Sequence, residues 1–193
     1  MEATILDLMP VRRGHFLLES GHHGDLWLEL DSLLLRPARL LPLARQLAAR
    51  LAAHRPEMVV GPLVGGALVA QMVAAELDVG FAVAERRPTP RGADYLLPET
   101  VHRHLQARAV AIVDDAINAG SATRATLAAL TALGARPVAV GALLILGETA
   151  LPQFASSGLA VESLARLPNV LWDPAACPLC AAGQPLNNPA AAP

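Results

Sequence analysis

Asp114 and Asp115 are the residues whose type and setting most directly suggest chemistry. They follow an unbroken apolar run at 110–113, the pattern of a strand buried on both faces of a parallel sheet. A carboxylate is costly in an apolar core unless it is paired, so the acidic pair should stand at the open edge of the sheet, where that strand ends. Asn118-Ala119-Gly120-Ser121-Ala122-Thr123 comes next, a small-residue turn that opens into a helix. Backbone N–H groups in such a turn, with the positive end of the helix, make an anion site. One element therefore offers two carboxylates for hydroxyls or a divalent metal, and beside them a cradle for phosphate. A phosphorylated sugar would satisfy both halves.

Other residues are further candidates. Gly61-Pro62-Leu63-Val64-Gly65-Gly66 joins a strand at 58–60 to a helix at 67–77, so it either holds a second anion or merely allows close strand–helix packing. It is not Gly-x-Gly-x-x-Gly and no Gly-Lys-Ser/Thr comes after it, which argues against a dinucleotide fingerprint and a P-loop. Residues 85–94 carry Glu85, Arg86, Arg87, Arg91 and Asp94 among Pro and Gly, and read as a charged loop. Trp27 falls on the polar face of an alternating strand, where it either packs on a loop or stacks on a planar ligand. His102 and His104 would share a face if extended, but two histidines without a third ligand suit a surface better than a metal site. Cys177 and Cys180 form one Cys-x-x-Cys, half a zinc site, to be completed by histidines or by the pair of a partner chain. Two reduced thiols in a turn is the other reading.

Positioning these residues takes alternating strands and helices. Residues 16–21 and 25–31 read as short strands around a Ser-Gly-His-His-Gly turn, a hairpin that covers the core. A helix covers 37–54, with Leu40, Ala44, Leu47 and Leu51 at helical spacing and Pro42 confining its regular part to the residues after it. Strands at 58–60, 80–84, 110–113, 137–146 and 161–164 alternate with helices at 67–77 and 121–133. Residues 95–105 read as a returning strand and turn, and the tail from 187 as frayed. The sum is an α/β parallel sheet, in which ligands bind beyond the carboxyl ends of the strands. The loops at 61–66, 85–94 and 114–123 all lie at such ends and should converge on one pocket.

Composition narrows the class. The chain has 193 residues and is 53% hydrophobic with only 3% aromatic, which points to one domain with an aliphatic core. All 15 of its Lys and Arg residues are Arg, and the net charge of −2 leaves no electrostatic footprint for nucleic acid. The N-terminal residues lack the basic start and apolar run of a signal peptide, and no stretch is long and apolar enough to span a membrane. Two cysteines do not make a secreted disulfide framework, so a cytoplasmic location is expected.

Residues 110–123 resemble the 5-phosphoribosyl-1-diphosphate (PRPP) binding motif of the type I phosphoribosyltransferase family: apolar strand, Asp-Asp, two apolar positions and a small-residue phosphate loop. Within that family the chain is most similar to the orotate branch. Leu18-Glu19-Ser20-Gly21 with Trp27 resembles its base-covering segment, residues 61–70 its diphosphate loop, and residues 81–87 the entry to its flexible catalytic loop. The resemblance implies a parallel-sheet α/β fold with an N-terminal hood: a single domain over 1–193, with the hood at 1–35, a core at 36–165 and a Cys-x-x-Cys extension at 166–193. It implies Mg2+-dependent transfer of 5-phosphoribosyl from PRPP to a nitrogenous base, orotate in pyrimidine nucleotide synthesis, with release of diphosphate. Asp114 and Asp115 would hold the ribose hydroxyls, Asn118, Ala119, Gly120, Ser121 and Ala122 the 5′-phosphate, and Val64, Gly65 and Gly66 the diphosphate. Arg86 and Arg87 would join Asp114 and Asp115 in catalysis, and Trp27 and Glu148 would contact the base. A homodimer would let the flexible loop reach a neighbouring site. The family's lysines are replaced here by Glu19, Gly65 and the loop arginines, and Leu146, Gly147 and Glu148 stand where orotate enzymes carry an Arg. Two further readings therefore stay open: a PRPP- or nucleotide-binding regulatory protein without transferase activity, and a transferase for a purine-type base.

Overall fold

A computed structural model describes residues 5, 10–18, 20–89 and 92–189. Glu19 and Arg91, both singled out above, lie outside the described residues. β1 (Val11–Leu17) and β2 (His23–Leu28) form the expected antiparallel hairpin, and β9 (Leu171–Trp172) joins it from the far end of the chain as a third strand, in the order β1-β2-β9. The second sheet contains β3 (Met58–Pro62), β4 (Gly80–Thr89), β5 (Gly92–Leu96), β6 (Ala109–Ile117), β7 (Arg136–Leu146) and β8 (Ala160–Leu167) in the order β5-β4-β3-β6-β7-β8. Its pairings are parallel except that of β5 with β4.

The apolar runs of the inner strands are explained by helices on both faces. One face is covered by α1 (Leu30–Leu34), α2 (Pro37–Leu51) and α3 (Gly65–Leu77), whose Leu33, Leu47 and Val73 pack with Ala111 and Val113 of β6. The other is covered by α4 (Glu99–Leu105), α5 (Ser121–Ala132) and α6 (Leu151–Ser156), whose Leu105, Leu130 and Phe154 pack with Val110 and Ile112. Alternate side chains of one strand thus feed two separate cores, so both must be apolar.

Three expectations are corrected. α2 starts at Pro37 and runs through Pro42, because Pro42 lies on the exposed face and water can take up the carbonyl left without its N–H partner. Residues 85–89 and 92–94, expected in a loop, are strand. β4 leaves β3 after Ala84 and continues as a two-stranded ribbon with β5, from Glu85 opposite Leu96 to Thr89 opposite Gly92. Pro88 is tolerated there because a ribbon at the sheet edge can spare one ladder donor. Tyr95 and Leu96 do end a returning strand, but the chain then turns into α4, so His102 and His104 stand on a helix. His102 Nε2 pairs with the Leu97 carbonyl at 2.9 Å, and His104 Nε2 accepts from Arg103 at 3.1 Å.

The winding decides where a ligand can bind. β3 leads through α3 to β4 on one side, while β6 leads through α5 to β7 on the other. β3 and β6 are neighbours, so the winding reverses between them and the loops beyond their carboxyl ends part to leave a crevice.

Candidate active site

β6 carries the acidic pair further along the strand than its apolar run suggested. It pairs with β7 as far as Ile117, with Asp114 opposite Ala142 and Ala116 opposite Leu144. On its other edge the pairing with β3 stops at Ile112. Asp114 and Asp115 thus sit within a strand that is held on one side and open on the other, at the crevice. Asp114 is only 7% exposed. Its Oδ2 accepts the Thr123 hydroxyl at 3.0 Å and its Oδ1 accepts the Asp115 N–H at 3.1 Å, while Asp115 Oδ1 accepts the Ala116 N–H at 2.9 Å. Burial, and then the adjacent Asp115 charge, hold the Asp114 carboxyl well above the usual carboxylate range, against the opposing pull of the Thr123 hydrogen bond. A bound cation or hydroxyl donors would favour its ionised form.

Two helix N-termini adjoin the pair. Gly120, with φ of +74°, turns the chain into α5, which has no side-chain cap. The bond from Arg124 N–H to the Gly120 carbonyl closes its first turn, leaving the N–H groups of Ser121, Ala122 and Thr123 without an intrahelical acceptor. α3 also lacks a side-chain cap, and its first turn closes from Leu68 N–H to the Val64 carbonyl at 3.3 Å. It starts at Gly65, two residues earlier than expected. A Cβ on Gly65 would overlap the Asp115 carboxylate, and one on Gly66 the Asp114 carboxylate. These glycines therefore let the start of α3 lie directly against the acidic pair. Asn118 is braced from the far side by Asn169, whose Nδ2 donates to its Oδ1 at 3.0 Å.

A cleft of about 960 Å³ joins these features. Val64, Gly65, Gly66, Asp114, Asp115 and the whole run from Asn118 to Ala122 line it, together with Trp27 of the hairpin and Arg86 of the ribbon. Two of the expected residues are elsewhere. Arg87 is exposed on the ribbon and Glu148 is exposed beyond β7, where Leu146 reaches the cleft instead. Arg12 lines the cleft and was not foreseen. It stands directly opposite Trp27 in the β1–β2 register, and its guanidinium lies 5.8 Å from the Phe16 ring, which is itself 6.1 Å from Trp27. Only the hairpin register reveals this, and the strand begins at Val11 rather than at 16 as expected. Cys177 and Cys180 lie away from the cleft, grouped with His15 and His23. Among the described residues no helix is long and apolar enough to cross a membrane.

A crevice at the switch point of a parallel sheet, with an acidic pair between two uncapped helix starts, matches the architecture of known proteins. The crystal structure of orotate phosphoribosyltransferase from Aeropyrum pernix superposes with a TM-score of 0.64 at 23% identity, over 81% of this chain and 88% of that one. The fold is that of the type I phosphoribosyltransferases. No family model matches the sequence. Orotate phosphoribosyltransferase of Heliobacterium modesticaldum is 32% identical over 182 residues, 91% of this chain and 88% of that protein. That of Caldanaerobacter subterraneus is 27% identical over 186 residues, 94% of this chain and 91% of that protein. This chain belongs to the orotate phosphoribosyltransferase family.

Proposed function

We propose that this protein transfers the 5-phosphoribosyl group of PRPP to orotate, releasing diphosphate, as a step of pyrimidine nucleotide synthesis. The observation that carries this reading is the meeting of two uncapped helix starts and the Asp114–Asp115 pair in one cleft, with Trp27 in the wall of the same cleft. PRPP presents two anionic ends separated by a ribose, the order in which those features occur. The 5′-phosphate takes the N–H groups at the start of α5, the ribose hydroxyls donate to Asp114 and Asp115, and the diphosphate lies at Val64, Gly65 and Gly66. The carboxylate oxygens are a donor set suited to Mg2+, which when bound with the substrate stabilises charge on the leaving diphosphate.

In the transfer the bond from ribose C1 to the diphosphate oxygen breaks, its electron pair leaving with diphosphate, and a ring nitrogen of orotate supplies the electron pair of the new bond while its proton is released to solvent. Positive charge builds on the ribose beside Asp114 and Asp115, and negative charge builds at the α3 N-terminus, where fixed N–H donors face it. Arg86 adds a cation to the same wall. Trp27 offers a face for the planar base. Orotate also carries a carboxylate, and Arg12, opposite Trp27, supplies the guanidinium that Leu146 does not. Arg12 is held only loosely by Glu29 at 3.7 Å, so it can turn to the ligand.

Arg87 is exposed on a ribbon that extends past β3, and we place it in the cleft of a second copy of the chain, in a homodimer. We place the protein in the cytoplasm, in keeping with cysteines that form no disulfide framework. Incubation with PRPP, Mg2+ and a panel of orotate, uracil, adenine and hypoxanthine tests the assignment through diphosphate release. Release with orotate alone is expected. Release with a purine alone would transfer the reading to that base, and PRPP binding without release for any base would make the protein a binder.

A further inference from the structure

Four side chains outside the cleft converge in a way that hydrogen bonding does not explain. His15 Nε2 lies 3.1 Å from His23 Nδ1, 3.4 Å from Cys177 Sγ and 3.7 Å from Cys180 Sγ, and His23 Nδ1 lies 3.3 Å from Cys180 Sγ. All four atoms fall within 4.8 Å of one another. His15 Nδ1 meets the Gln184 carbonyl at 2.9 Å, which requires the proton on Nδ1 and leaves Nε2 with a single lone pair. One lone pair cannot serve three neighbours, but a cation at their centre serves all four groups. Zn–N bonds of ~2.0–2.1 Å and Zn–S bonds of ~2.3 Å place the ligand atoms of a tetrahedral N2S2 site about 3.3–3.8 Å apart, close to the separations present. The Gln184 carbonyl is the outer partner that orients a metal-bound imidazole.

The surrounding backbone is built to bring these residues together. A bulge between Arg13 and Phe16 inserts an extra residue into β1, so that His15 and Phe16, adjacent in sequence, are 0% and 2% exposed. β9 pairs with β2 at His23, Asn187 donates its N–H to the His15 carbonyl at 2.8 Å, and Leu17 N–H donates to the Asn187 carbonyl at 2.8 Å. Cys177 and α7 (Pro178–Ala181), which contains Cys180, lie in the chain between these two attachments. We propose that His15, His23, Cys177 and Cys180 bind one zinc ion, which fastens the C-terminal extension to the β1–β2 hairpin and so holds the strand that presents Trp27 to the cleft. The histidines come from one end of the chain and the cysteines from the other, so the metal closes a loop of nearly the whole sequence.

The proposal is independent of the transferase reading, and no activity is needed to test it. The full chain, expressed in zinc-supplemented medium and purified under reducing conditions without chelators or metal-affinity resin, is measured for metal by mass spectrometry and X-ray absorption. About one zinc per chain is expected, with two sulfur neighbours at ~2.3 Å and two nitrogen neighbours at ~2.0–2.1 Å. His15→Ala with Cys180→Ser should reduce the content to below about a tenth, as loss of two of four ligands requires. Stripping zinc from the wild type should speed amide exchange in β1, β2 and β9 while β6 and β7 stay protected. Wild-type protein that lacks zinc and takes up neither Zn2+ nor Co2+ on reconstitution would overturn the site, as would full zinc in the double variant. Unchanged exchange in the hairpin after metal loss would overturn the fastening role.

Discussion

Asp114→Asn separates what the acidic pair costs the fold from what it gives the site. Asp114 is 7% exposed and next to a second carboxylate, and both conditions raise its pKa in the folded chain. Between the unfolded value of about 3.9 and that raised value the folded state holds a proton that the unfolded state has released. The stabilising contribution is therefore complete below the unfolded pKa and is lost as pH rises through the folded one, at ~1.4 kcal/mol per pKa unit of separation. Asparagine abolishes this dependence. Its Oδ1 can still accept the Asp115 N–H, and its Nδ2 can donate to the Thr123 hydroxyl, which rotates to accept. At pH 8 the variant should therefore be more stable than the wild type, with a higher urea midpoint and a higher Tm. The difference should shrink toward zero at pH 4. PRPP affinity should fall ~10- to 100-fold, the loss of a hydrogen bond to a charged acceptor. Urea unfolding from pH 4 to 8 and PRPP titration supply both readouts. A variant less stable than the wild type at pH 8, or a difference that does not change with pH, would show that Asp114 does not gain a proton on folding.

Arg12→Ala should lower kcat/KM for orotate by about 10- to 100-fold through KM, with PRPP binding unchanged, since it removes a charged contact to the base alone; equal loss for both substrates would remove its assignment to the orotate carboxylate. Gly65→Ala adds a better helix former to the first turn of α3, yet its Cβ displaces the Asp115 carboxylate. The variant should fold with unaltered circular dichroism and lose at least about tenfold in PRPP affinity, and full affinity would show that the close approach has no role in binding. An inactive Asp114→Asn/Asp115→Asn protein mixed and re-equilibrated with an inactive Arg87→Ala protein should recover about a quarter of wild-type activity, because half the dimers are mixed and each holds one complete site. No recovery on mixing would place Arg87 in its own cleft.

Local chemistry made the cleft legible from sequence. An apolar run, two carboxylates and a small-residue turn state a strand, its exit and a helix start without reference to the rest of the chain, because burial and backbone freedom are local demands. For the same reason the hairpin, α2, α3 and α5 are readable from periodicity. Residues 85–89 were not, because charge and Pro describe a loop equally well, and only the partner strand β5 makes them one side of a ribbon. Arg12 joined the cleft through cross-strand register, which no spacing within β1 reveals. Glu148 is exposed two residues past the end of β7, while Leu146, the last residue of that strand, lines the cleft. The amino-acid order already contains a strand-exit acid pair beside a phosphate-type turn, and it leaves Cys177 and Cys180 open between half a zinc site and two thiols in a turn. Which residues stand beside each depends on the packed fold. Long-range pairing brings β1 and β2 over the cleft and sets His15 and His23 against the cysteines, a juxtaposition of groups far apart in the chain that only the packed fold can make.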